Sequence, residues 1–271
     1  MNLSSFGEKY PFLQSNLGFW EKYLDAREEV MKLLSFFLDE SGLEQSDFLQ
    51  HLDQGKPFFA YANLRLEAAA LKQLAEAFCK PLGIAVPAIT LPETIPLLDD
   101  LMIEPGEAGF VIAEIHSAIA SYIDSVISGD EEAINWLEAT CPICGAHAGM
   151  GIIAPSGKKN LVCSHCQTVW TYIRAACGLC GHTGTEGATF YTADEEPNWL
   201  VETCSECGYY LKVYDMRNAL PQIIAYPLFY LTSWNLDLSF RGQGFEPVFF
   251  HIFERAGWVS IMNNNRASQP H

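Results

Sequence analysis

Eight of the nine cysteines in this 271-residue chain stand in four CxxC pairs: Cys141/Cys144, Cys163/Cys166, Cys177/Cys180 and Cys204/Cys207. Two cysteines three positions apart on a tight turn, opened by a following glycine, aim both sulfurs at one point. Two such turns facing each other make a tetrahedral four-thiolate site, so four turns supply ligands for two metal ions with none left over. The competing chemistry is a disulfide framework. Met1 to Tyr10 has neither a basic region nor an apolar core of the secretory kind, and CxxC pairs without such a signal favour reduced thiols and metal. The ninth cysteine, Cys79, falls near the end of an expected helix and reads as a small buried hydrophobe.

Four knuckles can pair in three ways. Sequential pairing closes loops of 18 and 23 residues between Cys144 and Cys163 and between Cys180 and Cys204. Loop-closure entropy changes too slowly with length to choose between the pairings. The hairpin pattern chooses: a first site of Cys141, Cys144, Cys163 and Cys166, and a second of Cys177, Cys180, Cys204 and Cys207. His147, His165 and His182 lie beside knuckles, but eight cysteines already fill two sites, which leaves the imidazoles to support or to face solvent. With every coordination position taken by a thiolate, neither metal offers a place for substrate. The chain also has no phosphate-cradling glycine motif, nucleophile elbow or HExxH pair, so the expectation is a protein that is not an enzyme.

Two kinds of element must position these sulfurs. Each knuckle pair flanks or leads into β-type sequence. Ile152-Ile153, the Pro155-Ser156-Gly157 turn and Leu161-Val162 make a hairpin, Val169 to Ile173 reads as a strand, and Leu211 to Tyr214 continues from the fourth knuckle. Residues 140–176 and 177–218 therefore read as two tandem rubredoxin-like or zinc-ribbon modules. Ahead of them, residues 1–139 read as helical. Apolar residues recur at helical spacing over Asn16 to Leu38, Ser46 to Leu52, Ala60 to Phe78 and Phe110 to Ile127, with a short further helix through Trp136 and Leu137. Five prolines from Pro81 to Pro105 predict an extended or singly turned connector. His116 reads as a packed or solvated histidine and not as a ligand. Residues 219–271 form a packing segment and tail: Ala219 to Phe240 a helix or irregular stretch, Gly242 to Phe245 a turn, Pro247 to Phe253 a strand or short helix, and Asn263 to His271 frayed. The class is α+β. Ala219 to Leu231, the most apolar late stretch, is too short to cross a membrane and is broken by Pro221 and Pro227.

Charge narrows the function classes. The net charge is -17. Residues 1–140 hold 23 acidic against 8 basic side chains, a balance of -15, and residues 141–271 hold 10 against 8, a balance of -2. Two four-thiolate centres make the second half more negative still. Nucleic-acid binding needs a basic surface to displace phosphate counterions, and this chain has none.

The order Cys141-Pro-Ile-Cys144-Gly145, Cys163-Ser-His-Cys166, Trp170, Arg174, Cys177-Gly-Leu-Cys180-Gly181 and Cys204-Ser-Glu-Cys207, followed by Tyr210-Leu211-Lys212, resembles the formate dehydrogenase accessory protein FdhE family. The match covers roughly 75 residues, and the Gly55-Lys56-Pro57 step after a helical stretch is similar to that family too. The resemblance implies a cytoplasmic assembly factor that binds the catalytic subunit of a formate dehydrogenase, or of a related molybdenum or tungsten enzyme, before export by the twin-arginine route. It implies iron at the four-cysteine sites, whereas spacing alone accepts iron or zinc. Leu236-Asp237-Leu238 and Gly244-Phe245 are similar to the family's end, while Pro227 to Trp234 and Pro247 to Trp258 depart from it. On this reading Trp170, Tyr172, Arg174, Tyr209 and Tyr210 are candidates for contact with the partner. Core packing competes for Trp170, and bracing of a loop within its own module competes for Arg174. Rubredoxin-like electron transfer stays open as an alternative, as does, with the charge against it, a zinc-ribbon nucleic-acid module.

Overall fold

A computed structural model describes residues 3–38, 45–62, 64–90, 94–101, 103, 106–127, 136–183, 188–193, 196–218, 221, 223, 225–240 and 243–248. Seven helices and seven strands of at least two residues are formed among them. A helical layer precedes a single β-sheet, and the architecture is α+β.

The helical layer comprises α1 (Leu3–Lys9), α2 (Leu17–Phe37), α3 (Gln45–Leu52), α4 (Ala68–Leu82) and α5 (Glu107–Ile127). Trp20, Tyr23, Ala26, Val30 and Leu34 place the buried stripe of α2 at steps of three and four, as an amphipathic helix requires. Its partners are α4 and α5. Helix α4 starts later than the expected Ala60, because residues 64–66 are extended instead: Arg65 bridges Thr94, and the Ile95 amide donates to Leu64 O at 2.9 Å. The proline-rich connector needs backbone partners, and this stretch supplies them. At its other end α4 carries Pro81 within its last turn and is terminated by Gly83 at φ +69°, whose amide donates to Cys79 O and Lys80 O. Cys79 is buried in the core, as expected.

Helix α5 lies in the core. It is buried on nearly every side, including at Glu114, His116 and Ser117. By length and composition it could cross a membrane, yet 72% of its apolar window is buried inside the fold, the position of a core helix. Its buried carboxylate is met from α2: Tyr23 OH donates to Glu114 Oε2 at 2.8 Å and Arg27 Nη1 donates to the same oxygen at 3.0 Å. Arg27 also reaches Ser117 Oγ and Ser121 Oγ, at 3.0 and 3.1 Å. The short helix expected through Trp136 and Leu137 is not formed at those residues. Trp136 is buried in an irregular segment, its indole N–H donating to Thr140 O at 2.6 Å, and residues 128–135 lie outside the described residues.

The strands are β1 (Ala148–Ile153), β2 (Lys159–Cys163), β3 (Val169–Tyr172), β4 (Ala188–Ala193), β5 (Glu196–Cys204), β6 (Tyr209–Asp215) and β7 (Glu246–Pro247). Their order is β3-β2-β1-β6-β5-β4, with β7 also paired to β6. The two cysteine modules therefore share one sheet. They join where β1 and β6 pair in parallel, Gly151 opposite Val213 and Ile153 opposite Asp215, while the flanking pairs within each module are antiparallel. Gly151 permits the join, since a Cβ there would lie 3.0 Å from Val213 Cγ2. Across the same seam Lys159 of β2 forms a buried ion pair with Glu202 of β5 at 2.7 Å.

Residues 226–240 form α6 (Tyr226–Tyr230), a 3-10 turn over Leu231–Ser233 and α7 (Trp234–Phe240). They pack on β5 and β6: Phe229 stacks on Trp199 and meets Tyr214 edge-on. Beyond them, Val248 donates its amide to Tyr210 O at 3.0 Å. Of the element expected at Pro247 to Phe253, Pro247 ends the short β7, and residues from 249 onward, including the tail, lie outside the described residues.

Candidate metal centres

Each knuckle is a backbone device before it is a ligand set. After three of the four CxxC turns stands a glycine in the left-handed region: Gly145 at φ +77°, Gly181 at +72° and Gly208 at +75°. At each, its amide returns to the carbonyl of the first cysteine of the turn: Gly145 to Cys141 at 3.0 Å, Gly181 to Cys177 at 3.0 Å and Gly208 to Cys204 at 2.9 Å. The second knuckle has no glycine at the left-handed position. Gln167 takes φ +67°, a conformation that costs a side-chain-bearing residue free energy. The first cysteine of three knuckles also donates its amide five residues onward, Cys141 to Ala146, Cys163 to Thr168 and Cys177 to His182. The loop is thereby closed with both sulfurs on its inner side.

The sulfurs converge as sequential pairing requires. Cys141, Cys144, Cys163 and Cys166 form centre 1, and Cys177, Cys180, Cys204 and Cys207 form centre 2, with the Sγ atoms of each group within 4.8 Å of one another. In centre 1 the closest Sγ–Sγ separations are 3.5 Å (Cys144–Cys163) and 3.6 Å (Cys141–Cys166 and Cys144–Cys166). In centre 2 they are 3.9 Å (Cys177–Cys207) and 3.8 Å (Cys180–Cys204). A disulfide would bring sulfurs to about 2 Å. A tetrahedron with metal–sulfur bonds of about 2.3 Å has edges of about 3.8 Å, so both groups have the dimensions of a four-thiolate metal site and could hold an ion.

The electrostatics of centre 1 ask for a cation. Burial pushes the Cys141 and Cys144 thiols well above the ordinary thiol range. Burial opposes ionisation of Cys166 as well, but hydrogen bonds from Cys141, Cys144, Cys163 and Thr168 hold it well below that range. Four thiolates in a dry pocket need a positive partner. Amides stand ready to share the charge: Ile143 N donates to Cys141 Sγ at 3.4 Å, and His165 N and Cys166 N donate to Cys163 Sγ at 3.3 and 3.4 Å. Centre 2 is wetter. Cys177 and Cys204 are buried, Cys207 is half-buried and Cys180 is exposed. Burial raises Cys177, and raises Cys207 to about 11.

Centre 1 is held from the helical side. Phe58 N donates to Pro142 O at 2.8 Å, Phe59 N to Ile143 O at 3.1 Å and Leu98 N to Cys144 O at 3.2 Å, so the first knuckle is bound along its length. Helix α5 binds the second knuckle: Ser117 Oγ donates to His165 O at 2.8 Å and Ser121 Oγ to Cys166 O at 2.7 Å. Between them the His116 Nδ1 and His165 Nε2 atoms lie 2.8 Å apart, and His116 Nε2 is 2.9 Å from Pro96 O. A carbonyl can only accept, so His116 carries its proton on Nε2, and its Nδ1 accepts from His165. Burial keeps His116 below its ordinary range and neutral. His116 is a packed residue and His165 a supporting one, as expected. The contribution of Ser117 and Ser121 had no motif to announce it; only their spacing with His116 along one helix, read against a knuckle partner, could have marked it.

The five candidate contact residues divide. Trp170, Tyr172 and Tyr210 are buried and offer no surface. Trp170 donates its indole N–H to Glu138 O at 3.2 Å and Tyr172 OH donates to Cys177 O at 3.2 Å. Tyr210 OH donates to Asp237 Oδ1 at 2.7 Å, and Lys212 Nζ pairs with Asp237 Oδ2 at 2.8 Å. The Tyr-Leu-Lys run after the fourth knuckle therefore clamps α7 to the sheet. Arg174 is exposed and braces the β1–β2 turn through Gly157 O at 3.0 Å, and Tyr209 is exposed.

No protein-family model matches the chain. Among curated proteins it is similar to several named "Protein FdhE homolog". The one from Aquifex aeolicus is 29% identical over 143 residues, covering 50% of this chain and 48% of that protein. The one from Shewanella oneidensis is 34% identical over 110 residues, covering 39% and 35%, and the one from Rhizobium meliloti is 30% identical over 118 residues, covering 40% and 38%. The matches thus span half or less of these relatives' lengths. The crystal structure of the FdhE protein from Pseudomonas aeruginosa superposes with a TM-score of 0.42 at 19% identity, over 75% of this chain and 68% of that one. The curated similarities support the FdhE family resemblance carried by the cysteine cassette.

Proposed function

We propose that this chain is an FdhE-type accessory protein of formate dehydrogenase, a binding protein and not an enzyme, acting in the cytoplasm on the catalytic subunit of a formate dehydrogenase or a related molybdenum or tungsten enzyme. The observation that carries the reading is the pair of four-sulfur groups of metal-site dimensions in a chain similar to FdhE homologues. The units are a helical part over residues 1–139, a first metal module over 140–176, a second over 177–218, and a packing segment over 219–271. Cys141, Cys144, Cys163 and Cys166 would ligate one ion, and Cys177, Cys180, Cys204 and Cys207 the other, iron by family resemblance or zinc by chemistry.

The ions would act as pins, because a four-thiolate site with no open position holds loops in place and turns nothing over. Centre 1 fixes the junction of the helical layer and the sheet, and centre 2 fixes the far module. The docking surface then draws on exposed groups near the second module, Tyr209 and Arg174 among the residues singled out by sequence, with Phe190, Tyr191 and Trp234 also exposed there. The acidic helical half suits a basic segment of the client, as an electrostatic steering surface.

The test is genetic. Cells lacking the protein should lose most formate dehydrogenase activity, and regain it with the wild-type chain but not with a Cys141→Ser/Cys144→Ser variant. Full activity in the deletion strain would contradict the proposal.

A further inference from the structure

We infer that the two centres differ in kind: centre 2 is a metal-exchange site entered through Cys180, whereas centre 1 retains its ion until the helical layer parts from the sheet. The inference rests on the reading that both clusters hold metal and adds to it a division of labour.

All four sulfurs of centre 1 are buried, and its knuckles are bonded by partners from outside the module: the amides of Phe58, Phe59 and Leu98, and the hydroxyls of Ser117 and Ser121. For an incoming ligand to reach that ion, these bonds must open together, and a thiolate leaving the ion would stay in a dry pocket as an unpaired charge. Among the described residues centre 2 has less of each obstacle. Cys180 is exposed and Cys207 half-buried. Among the described residues, bonds to the loops of centre 2 come from the sheet, Tyr172 OH to Cys177 O and Glu246 N to Gly208 O, with none from the helical layer.

The exchange is a ligand substitution. An incoming donor, a thiolate or a carboxylate chelator, bonds to the ion as the Cys180 sulfur leaves, and water hydrates the freed thiolate or gives it a proton. The metal keeps its oxidation state throughout. A cation delivered to, or taken from, another protein's thiolate site passes by the same path, so the exchange partner is a thiolate-bearing surface that can approach Cys180.

The test uses the full-length chain loaded with two zinc ions under reducing conditions and mixed with excess EDTA and iodoacetamide. Native mass spectrometry counts the ions, and peptide mapping locates the alkylated cysteines. One ion should leave at least about tenfold faster than the other. Cys180 and Cys207 should be alkylated in that phase while Cys141, Cys144, Cys163 and Cys166 stay protected. A Ser117→Ala/Ser121→Ala variant should speed release of the slow ion several-fold and leave the fast one unchanged. Release of both ions in one phase, with both sets of cysteines labelled together, or earlier labelling of centre 1, would overturn the inference. A chain that takes up fewer than two zinc ions would overturn the metal reading itself, which the ion count before EDTA makes visible.

Discussion

At the scale of single residues, the knuckles divide into chemistry that spacing announces and conformation that it does not. Eight cysteines in four CxxC pairs announce the ligands, and the hairpin pattern between them announces the grouping. Glycine follows the first, third and fourth pairs, whereas after the second pair Gln167 takes the left-handed conformation. Gly208 isolates that backbone demand, since a Cβ there would meet nothing within 4 Å. Gly208→Ala should therefore cost about 1 kcal/mol in urea unfolding through conformation alone. A cost near zero would mean that the turn does not depend on its left-handed residue. Trp170, Tyr172 and Tyr210 show the opposite limit of sequence reading. An aromatic beside a metal knuckle looks the same in sequence whether it faces a partner or its own core, and here all three face the core.

At the scale of elements, the long helices α2, α4 and α5 were legible from periodicity because their buried stripes recur at three and four residues, as in α2, whereas α1 was not foreseen and the helix expected through Trp136 and Leu137 is not formed at those residues. Two boundaries were not legible either. Residues 64–66 have helical composition but pair with the connector near Thr94, and Pro81 sits within the last turn of α4. Both outcomes are set by tertiary partners, which local propensity does not contain. The clamp between β6 and α7 is a similar case. Lys212 is buried against the Tyr230 ring, 3.5 Å from its centroid, and paired with Asp237. Burial lowers Lys212 to about 8, against the ion pair that raises it. An unfolded lysine titrates near 10.4, so between about pH 8 and pH 10 the unfolded chain holds a proton that the native chain has released, and stability rises with pH across that window. Below it both states are charged and the contribution is constant. The rise should be on the order of 2 kcal/mol. It should vanish in Lys212→Met, with the difference between the two proteins' urea midpoints at pH 7.5 and 9.5 as the readout. Parallel pH profiles for the two proteins would contradict the assignment.

At the scale of the whole molecule, the parallel pairing of β1 with β6 fuses two modules that read in sequence as tandem and separate. Non-local strand pairing leaves no local signal, and Gly151, which permits the close approach, looks like any strand glycine. The consequence is that neither metal module is mechanically independent, and centre 1 also carries the contact with α5. Removal of both ions under reducing conditions should therefore keep much of the far-ultraviolet helical signal but lose the near-ultraviolet signal of buried Trp170 and Trp199 and lower the melting temperature. Identical melting curves with and without metal would show the ions to be peripheral. The most direct measurement of the central claim is recovery of the tagged protein from cells that make a formate dehydrogenase, with its bound proteins identified by mass spectrometry. The account predicts the catalytic subunit of that enzyme with the wild-type chain and its loss with Cys141→Ser/Cys144→Ser; recovery of RNA or ribosomes alone would contradict it.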